Sequence, residues 1–374
     1  MGADNTPARR TVLKAGVAAF ATAVGLSAGV AAAQDNVVNV YNWSDYIAED
    51  TIANFEAETG ITVRYDVFDS NEVLEAKLLA GNSGYDVVVP SSTFLSRQIQ
   101  AGVFMALDRS KLSNWDNLDD GLLQRVEPMD AGNAHGVPYM WGTTGFAYNK
   151  KMIEERMPDA PVDSWAMMMD PEVVSKFADC GVTFLDAPTE VIPAALNYVG
   201  HDPASEDPDH LADAMAHMET VRPSIKYFHS SQNINDLANG DICLAMGWSG
   251  DMFIARDRAA EAGQGVEIEY VIPKEGALLW TDMMAVPKDA PNAENAHLFL
   301  NYIMKPEVAA GISNYVWYAN ANEAATELVD PEVKDDPAIY PDAETMAKLY
   351  TVQPYGPRFQ REVTRAWTKL KTGR

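Results

Sequence analysis

The chain has 374 residues, 47% of them hydrophobic, with 54 Asp and Glu against 28 Lys and Arg, a formal net charge of −26 at pH 7. A surface this acidic repels nucleic acid and anionic lipid and attracts cations, which argues against a nucleic-acid partner. The length is enough for a large buried core and points to two lobes rather than one.

Residues 1–33 differ from the rest. Arg9, Arg10 and Lys14 precede an apolar Ala/Gly/Val run that ends in Ala31-Ala32-Ala33. A basic start, an apolar stretch and an A-x-A end mark a cleaved secretory signal peptide, hence export to the periplasm. The alternative, a retained membrane anchor, fits poorly with the low hydrophobicity of the run. The string RRTVLK resembles the twin-arginine export signal, although ordinary secretory signals also carry paired arginines.

From residue 36 strands and helices alternate. VVNVYNW reads as a strand, and EDTIANFEAETG as a helix with Ile52 and Phe55 at helical spacing and Gly60 as its stop. ITVRYDVF is a strand, NEVLEAKLLAG a helix, and YDVVVPS a short apolar strand closed by Pro90. This β-α-β-α-β order predicts a mainly parallel sheet flanked by helices. Ligands on such sheets bind outside the carboxyl ends of the strands, where Trp43-Ser44-Asp45-Tyr46 and Pro90–Thr93 both fall. After the Gly/Pro-rich approach HGVPYMW, the strand-like GTTGFAYN (142–149) reads as a crossover into a second lobe. That lobe contains the strand GVTFLDAP, helices through 190–239 and the buried strand ICLAMGW. VEIEYVIPKEGALLWTDMMAVP reads as strand, turn, strand, and helices follow around 292–314. The expected architecture is a two-lobed α/β fold, each lobe a mainly parallel sheet flanked by helices and joined by crossing hinge strands. Lobe 1 takes residues 36–141 and 256–327, and lobe 2 takes residues 142–255 and 328–374. In the C-terminal RFQREVTRAWTKLKTGR, Phe359, Val363, Trp367 and Leu370 fall at helical spacing, giving one packing face and one basic, solvated face.

The two cysteines, Cys180 and Cys243, read first as a disulfide, since an even pair in an exported chain usually is one. Closing so long a loop restricts the unfolded chain by roughly 4 kcal/mol. A catalytic thiol is the alternative, but it needs a basic environment, and FADCGV and GDICLAM offer acids and apolar residues.

The chain has no H-E-x-x-H, P-loop, G-x-S-x-G or G-x-G-x-x-G motif, and its six histidines are scattered, so neither a metal nor a cofactor is expected. What recurs is an aromatic residue with an acid one to three positions away, at strand ends: Trp43-Ser44-Asp45-Tyr46, Trp248-Ser249-Gly250-Asp251 and Trp280-Thr281-Asp282. Trp317-Tyr318 and, after the strand VTFL, Asp186 and Glu190 occupy comparable places. A single Trp near a strand end is usually packing and a single Asp in a turn usually a cap; the repetition is the signal. Ring faces attract an organic ammonium and cover its methylenes, and carboxylates accept its charge-assisted hydrogen bonds. Hydroxyls such as Ser44 and Ser91 can accept the remaining N–H groups. Tyr41, which precedes the first motif on its strand, reads as packing.

These residues carry a recognisable pattern. VYNWSDYI, YDVVVPSSTFLSRQ, PYMWGTTGFAYNK, LDAPTEV, AMGWSGD, IPKEGALLWTD and VWYANANEAAT, in order from about residue 36 to the C-terminus, resemble the putrescine- and spermidine-binding periplasmic proteins of bacterial ABC polyamine transporters. The resemblance implies a two-lobed solute-binding protein, expected to be a monomer, that closes on a polyamine and docks to an inner-membrane permease, with no enzymatic activity. Carried over to this sequence, it implies ligand contacts from Trp43, Ser44, Asp45, Tyr46, Ser91, Glu190, Trp248, Asp251, Trp280, Asp282 and Tyr318. Cys180 and Cys243 match positions bridged in the putrescine-binding branch. Thr93 and Ala187 are small where the spermidine branch has Tyr and Asp, which favours putrescine. Trp280 departs from this, since putrescine binders tend to have Phe there, so a spermidine-preferring binder remains the alternative. Two other readings stay open: an exported enzyme using Asp251 and Asp282 as general acid and base on amines or sugars, and a sensing role served by the same site.

Overall fold

The computed structural model describes residues 36–373, so the signal-peptide reading of residues 1–33 lies outside the described residues. Ten strands form one sheet: β1 (Val37–Trp43), β2 (Thr62–Phe68), β3 (Val87–Val88), β4 (Gly136–Asn149), β5 (Val182–Phe184), β6 (Ile225–Phe228), β7 (Leu244–Trp248), β8 (Ile268–Val271), β9 (Leu278–Ala285) and β10 (Ala319–Asn320). The order β2-β1-β3-β9-β4-β7-β5-β6 places a parallel group, β2-β1-β3, at one end and a second parallel group, β7-β5-β6, at the other. Between them β9 and β4 run antiparallel and join the two groups. Each parallel group supports its own core. One is built around Val40, Phe55, Val87 and Phe299, and the other around Phe146, Trp165, Phe184 and Met218.

The first group follows the expected β-α-β-α-β course. Helix Thr51–Thr59 ends on Gly60 at φ 70°, whose N–H reaches the Glu56 carbonyl. Helix Asn71–Leu79 starts under Ser70, whose hydroxyl accepts from the Val73 N–H. The C-terminal helix Pro357–Thr372 buries Phe359, Val363, Trp367 and Leu370 against the second core, the face that their spacing predicts. Among the described residues no helix is long and apolar enough to cross a membrane.

Two stretches depart from the sequence reading. The crossover strand begins at Gly136 rather than Gly142, so HGVPYMW is largely strand rather than approach loop. All 14 residues of β4 are buried, so no polar alternation marks it, and the register shifts between Pro138 and Trp141 where proline supplies no N–H. The segments read as strand, turn, strand do not pair as a hairpin. β9 and β8 follow one another along one edge of β4, opposite Gly136–Thr144 and Phe146–Asn149. β10 and β7 share its other edge. Long β4 is thus the spine that carries backbone from one lobe to the other.

Cys180 and Cys243 are joined in a disulfide with Cα atoms 5.5 Å apart. They precede the neighbouring parallel strands β5 and β7, so the bridge ties the amino ends of the pair, the end of the sheet opposite to the aromatic and acidic motifs.

Candidate functional site

Most of the side chains of interest sit where strands end, but Trp280 and Asp282, read from the sequence as following a strand, lie within β9, which continues to Ala285. β1 stops at Trp43, whose indole Nε1 donates to the Val89 carbonyl at 2.8 Å and whose ring meets Trp248 edge-on at 5.8 Å. The chain then turns through Asp45 at φ 53° and brings Tyr46 inward. The Tyr46 carbonyl accepts from the Tyr139 hydroxyl at 2.6 Å, which fixes the turn on β4. β3 ends at Val88, Val89 and Pro90 follow, and Ser91 stands at the N-terminal boundary of helix Ser92–Gln100. Ser91 also pairs with Asp282 of β9 as an isolated bridge. Glu190 and Asp251 occupy the first turns of helices Pro188–Tyr198 and Ser249–Ala262, which begin just after β5 and β7.

Each carboxylate is held by hydroxyl donors. Asp282 is 4% exposed and accepts from Ser91 at 2.6 Å and from Tyr46 at 2.9 Å. Asp251 accepts from the Tyr318 hydroxyl at 2.9 Å, and its own N–H donates back to that oxygen at 3.0 Å. Glu190 accepts from Thr144 at 2.6 Å. Tyr318 lies edge-on to both Tyr46 and Trp280, at 5.1 and 5.4 Å. Gly250 permits this, because a Cβ there would collide with the Tyr318 ring.

Together these groups line a cavity with about 40 Å³ of room for water-sized occupants. Its walls include ten of the residues expected from the sequence: Trp43, Ser44, Tyr46, Ser91, Glu190, Trp248, Asp251, Trp280, Asp282 and Tyr318. Asp45 is not among them. Its left-handed backbone turns the carboxylate away to a half-exposed ion pair with Arg258 at 3.1 Å. Tyr41 is packing, stacked on Tyr85 at 4.4 Å. Three lining residues escaped the sequence reading: Asp69, Asn71 and Ser230. Asp69 and Asn71 follow β2, and Ser230 follows β6, so the strand-end rule reaches them although no aromatic residue flags them. Asn71 braces Ser91 from both sides, its Nδ2 donating to the hydroxyl and its Oδ1 accepting the N–H, each at 3.0 Å.

Among the described residues no basic side chain lines the cavity. Burial pushes Asp251, Asp282 and Glu190 each up to about 7, against the hydroxyl donors that favour their charged forms. Burial also raises Tyr46 and Tyr318 well above the ordinary tyrosine range, so both remain protonated donors. Two further polar atoms, Trp280 Nε1 and Ser230 Oγ, are buried without a protein partner. Desolvated carboxylates facing one another among aromatic rings are stabilised by a cation that carries its own N–H donors. The lining contains no Ser–His or Cys–His pair and no cluster of metal ligands has formed among the described residues. What the lining supplies is counter-charge, hydroxyl groups and ring surface.

Comparison with known proteins agrees with this geometry. The family of bacterial extracellular solute-binding proteins matches residues 50–341. A putrescine-binding periplasmic protein of Pseudomonas aeruginosa, SpuD, is 54% identical over 355 residues, covering 94% of this chain and 97% of its own. The putrescine-binding periplasmic protein PotF of Escherichia coli is 53% identical over 353 residues, covering 94% and 95%. Among solved structures, a putative spermidine/putrescine ABC transporter protein from Listeria monocytogenes superposes with a TM-score of 0.81 at 34% identity, over 91% of this chain and all of the other.

Proposed function

The chain belongs to the family of bacterial extracellular solute-binding proteins, and we propose that it is the periplasmic binding component of an ABC transporter for polyamines, with putrescine its preferred ligand. The observation that carries this reading is the cavity itself: three carboxylates, Asp282 buried and Glu190 and Asp251 half-buried, between aromatic rings and, among the described residues, with no basic side chain in the lining. A linear diammonium answers each need of that arrangement. Its charges meet the carboxylates, its N–H groups meet the hydroxyls of Ser44 and Ser91, and its methylenes lie against Trp43, Trp248 and Trp280. The preference for putrescine is supported by the 54% and 53% identity to putrescine-binding relatives, against 34% to the spermidine/putrescine-binding protein of Escherichia coli.

In this reading the ligand is held between two lobes, residues 36–141 with 256–327 and residues 142–255 with 328–374, and is delivered as a complex of one monomer to the inner-membrane permease. The cores around Val40 and around Phe146 each fall within one of these lobes, while a third, with Leu122 and Ala309 beside Ile234 and Leu349, spans the boundary. The protein performs no reaction on the ligand and takes no nucleic acid. Titration calorimetry with putrescine, cadaverine, agmatine and spermidine tests the proposal, with putrescine expected to bind tightest. Absence of binding by all four would overturn it.

A further inference from the structure

Ser91 carries one hydroxyl proton, and its surroundings decide where that proton points. Its Oγ accepts from Asn71 Nδ2 at 3.0 Å and donates to Asp282 Oδ1 at 2.6 Å, while its N–H donates to Asn71 Oδ1 at 3.0 Å. The Asn71 amide thus grips Ser91 at two points. A hydroxyl that already accepts on one side is left to donate on the other, and the amide N–H polarises it in that direction. Asp282 receives its second hydroxyl, that of Tyr46 at 2.9 Å, on the other oxygen, Oδ2.

The local fold has other supports. Helix Asn71–Leu79 is started by Ser70, whose hydroxyl and carbonyl accept from the Val73 and Leu74 N–H groups. Ser91 is placed beside Asp282 by the backbone, through the antiparallel bridge between them and the bond from the Met283 N–H to the Pro90 carbonyl at 2.9 Å. Asn71 is 9% exposed, and both of its side-chain hydrogen bonds go to Ser91. What this buried amide adds is therefore direction: it sets which way the serine hydroxyl faces.

We propose that Asn71 is a positioning residue of the ligand site, turning the Ser91 hydroxyl onto Asp282 and so keeping that carboxylate charged for a ligand ammonium. The ammonium rests on the polyamine reading above, whereas the direction of the hydroxyl and the charge on Asp282 are properties of the ligand-free protein. The titratable groups whose fields reach Asp282 are Tyr46 after β1, Tyr139 on β4, Glu190 and Asp251 on the helices Pro188–Tyr198 and Ser249–Ala262, and Tyr318 before β10. Asp69 adds a further acid to the same lining. None of these is a cation, so hydroxyl donors are what favours the carboxylate. Burial pushes Asp282 up to about 7, and Ser91 opposes that rise more strongly than Tyr46 does. A hydrogen bond to the charged form is worth about tenfold or more in the ionisation equilibrium.

Carbon NMR of the ligand-free protein, enriched at the aspartate carboxyl and with the Asp282 signal identified by its loss in Asp282→Asn, reads this charge directly. In Asn71→Ala the Asp282 titration midpoint is expected to move up by about one pH unit. Adding Asn71→Ala to Ser91→Ala is expected to move it by less than a third as much, because the hydroxyl through which Asn71 acts is gone. Calorimetry with putrescine is expected to show Asn71→Ala weaker than wild type by about fivefold at pH 7, shrinking to within about twofold at pH 9. The ligand's own ammonium groups titrate alike against both proteins, so the ratio reports the protein. Should Asn71→Ala fail to fold, Asn71→Leu, which keeps the shape of the side chain and removes both bonds, is put to the same titrations and decides the matter. An unmoved midpoint, a midpoint that moves as far in the Ser91→Ala background, or a loss of putrescine affinity equal at pH 7 and pH 9 would each overturn the proposal. Failure of putrescine to bind the wild-type protein overturns the polyamine reading instead, and the NMR comparison still decides whether Asn71 acts on Asp282 through Ser91.

Discussion

The substitution Asp282→Asn is expected to move affinity and ligand-free stability in opposite directions. Asp282 is 4% exposed, accepts from Ser91 and Tyr46, and is raised by burial from 3.8 to about 7. Ionising it in the ligand-free protein at pH 8 therefore costs roughly 4 kcal/mol relative to the unfolded chain, at about 1.36 kcal/mol per pH unit. The neutral amide removes that burden, although it is a poorer acceptor for two hydroxyls, so the ligand-free variant should melt no lower than wild type at pH 8. Binding tells the other way. An ammonium brought into the cavity loses a counter-charge, a loss of about 2–4 kcal/mol, which is about 30- to 1000-fold in Kd. Calorimetry with putrescine and thermal unfolding without it, both at pH 8, measure the two effects. An affinity within twofold of wild type refutes the role of Asp282 as counter-ion. A parallel loss of affinity and of ligand-free stability shows instead that its contribution is structural.

The pH dependence follows from the same groups. Folded-state values near 7 for Glu190, Asp251 and Asp282 exceed the ordinary carboxylate range, so between about pH 4 and 7 the folded protein holds more protons than the unfolded chain and loses stability as pH rises through that window. The Tm of Asp282→Asn relative to wild type should accordingly climb from pH 5 to pH 8, and putrescine affinity of the wild type should rise at least tenfold from pH 6 to pH 8; a flat binding profile contradicts the assignment. Asp45→Ala removes only a half-exposed ion pair with Arg258, worth less than about 1 kcal/mol, so Kd should change less than fivefold and less still at high salt. A 30-fold loss there would show that Asp45 touches the ligand. Gly250→Ala displaces the Tyr318 ring from Asp251 and Trp280 and should weaken putrescine binding at least tenfold while the protein still melts cooperatively; an unchanged Kd means that the ring relocates freely.

Much of this protein is determined by local pattern. The β-α-β-α-β order of the first parallel group, the packing face of the C-terminal helix and the strand-end positions of Trp43 and Asp251 are all readable from spacing, because helix and strand periods and the carboxyl-end rule act over a few residues, whereas Asp282 lies inside β9 and reaches the cavity through the sheet's pairing. The tertiary structure decided what depends on distant partners. β4 reaches back to Gly136 because neighbours on both edges bury it completely, which erases the alternation that marks a strand. Asp45 stands beside Ser44 and Tyr46 in the sequence, yet a single positive φ turns it toward Arg258 and out of the cavity. Asp69, Asn71 and Ser230 enter the cavity with no aromatic neighbour to announce them. Above all, the raised pKa values of three carboxylates exist only because the fold withdraws them from water into one space. Sequence specifies which acids are present, but their mutual distance and desolvation arise from chain crossings hundreds of residues apart, such as Tyr46 with Asp282, and those make the site a trap for cations.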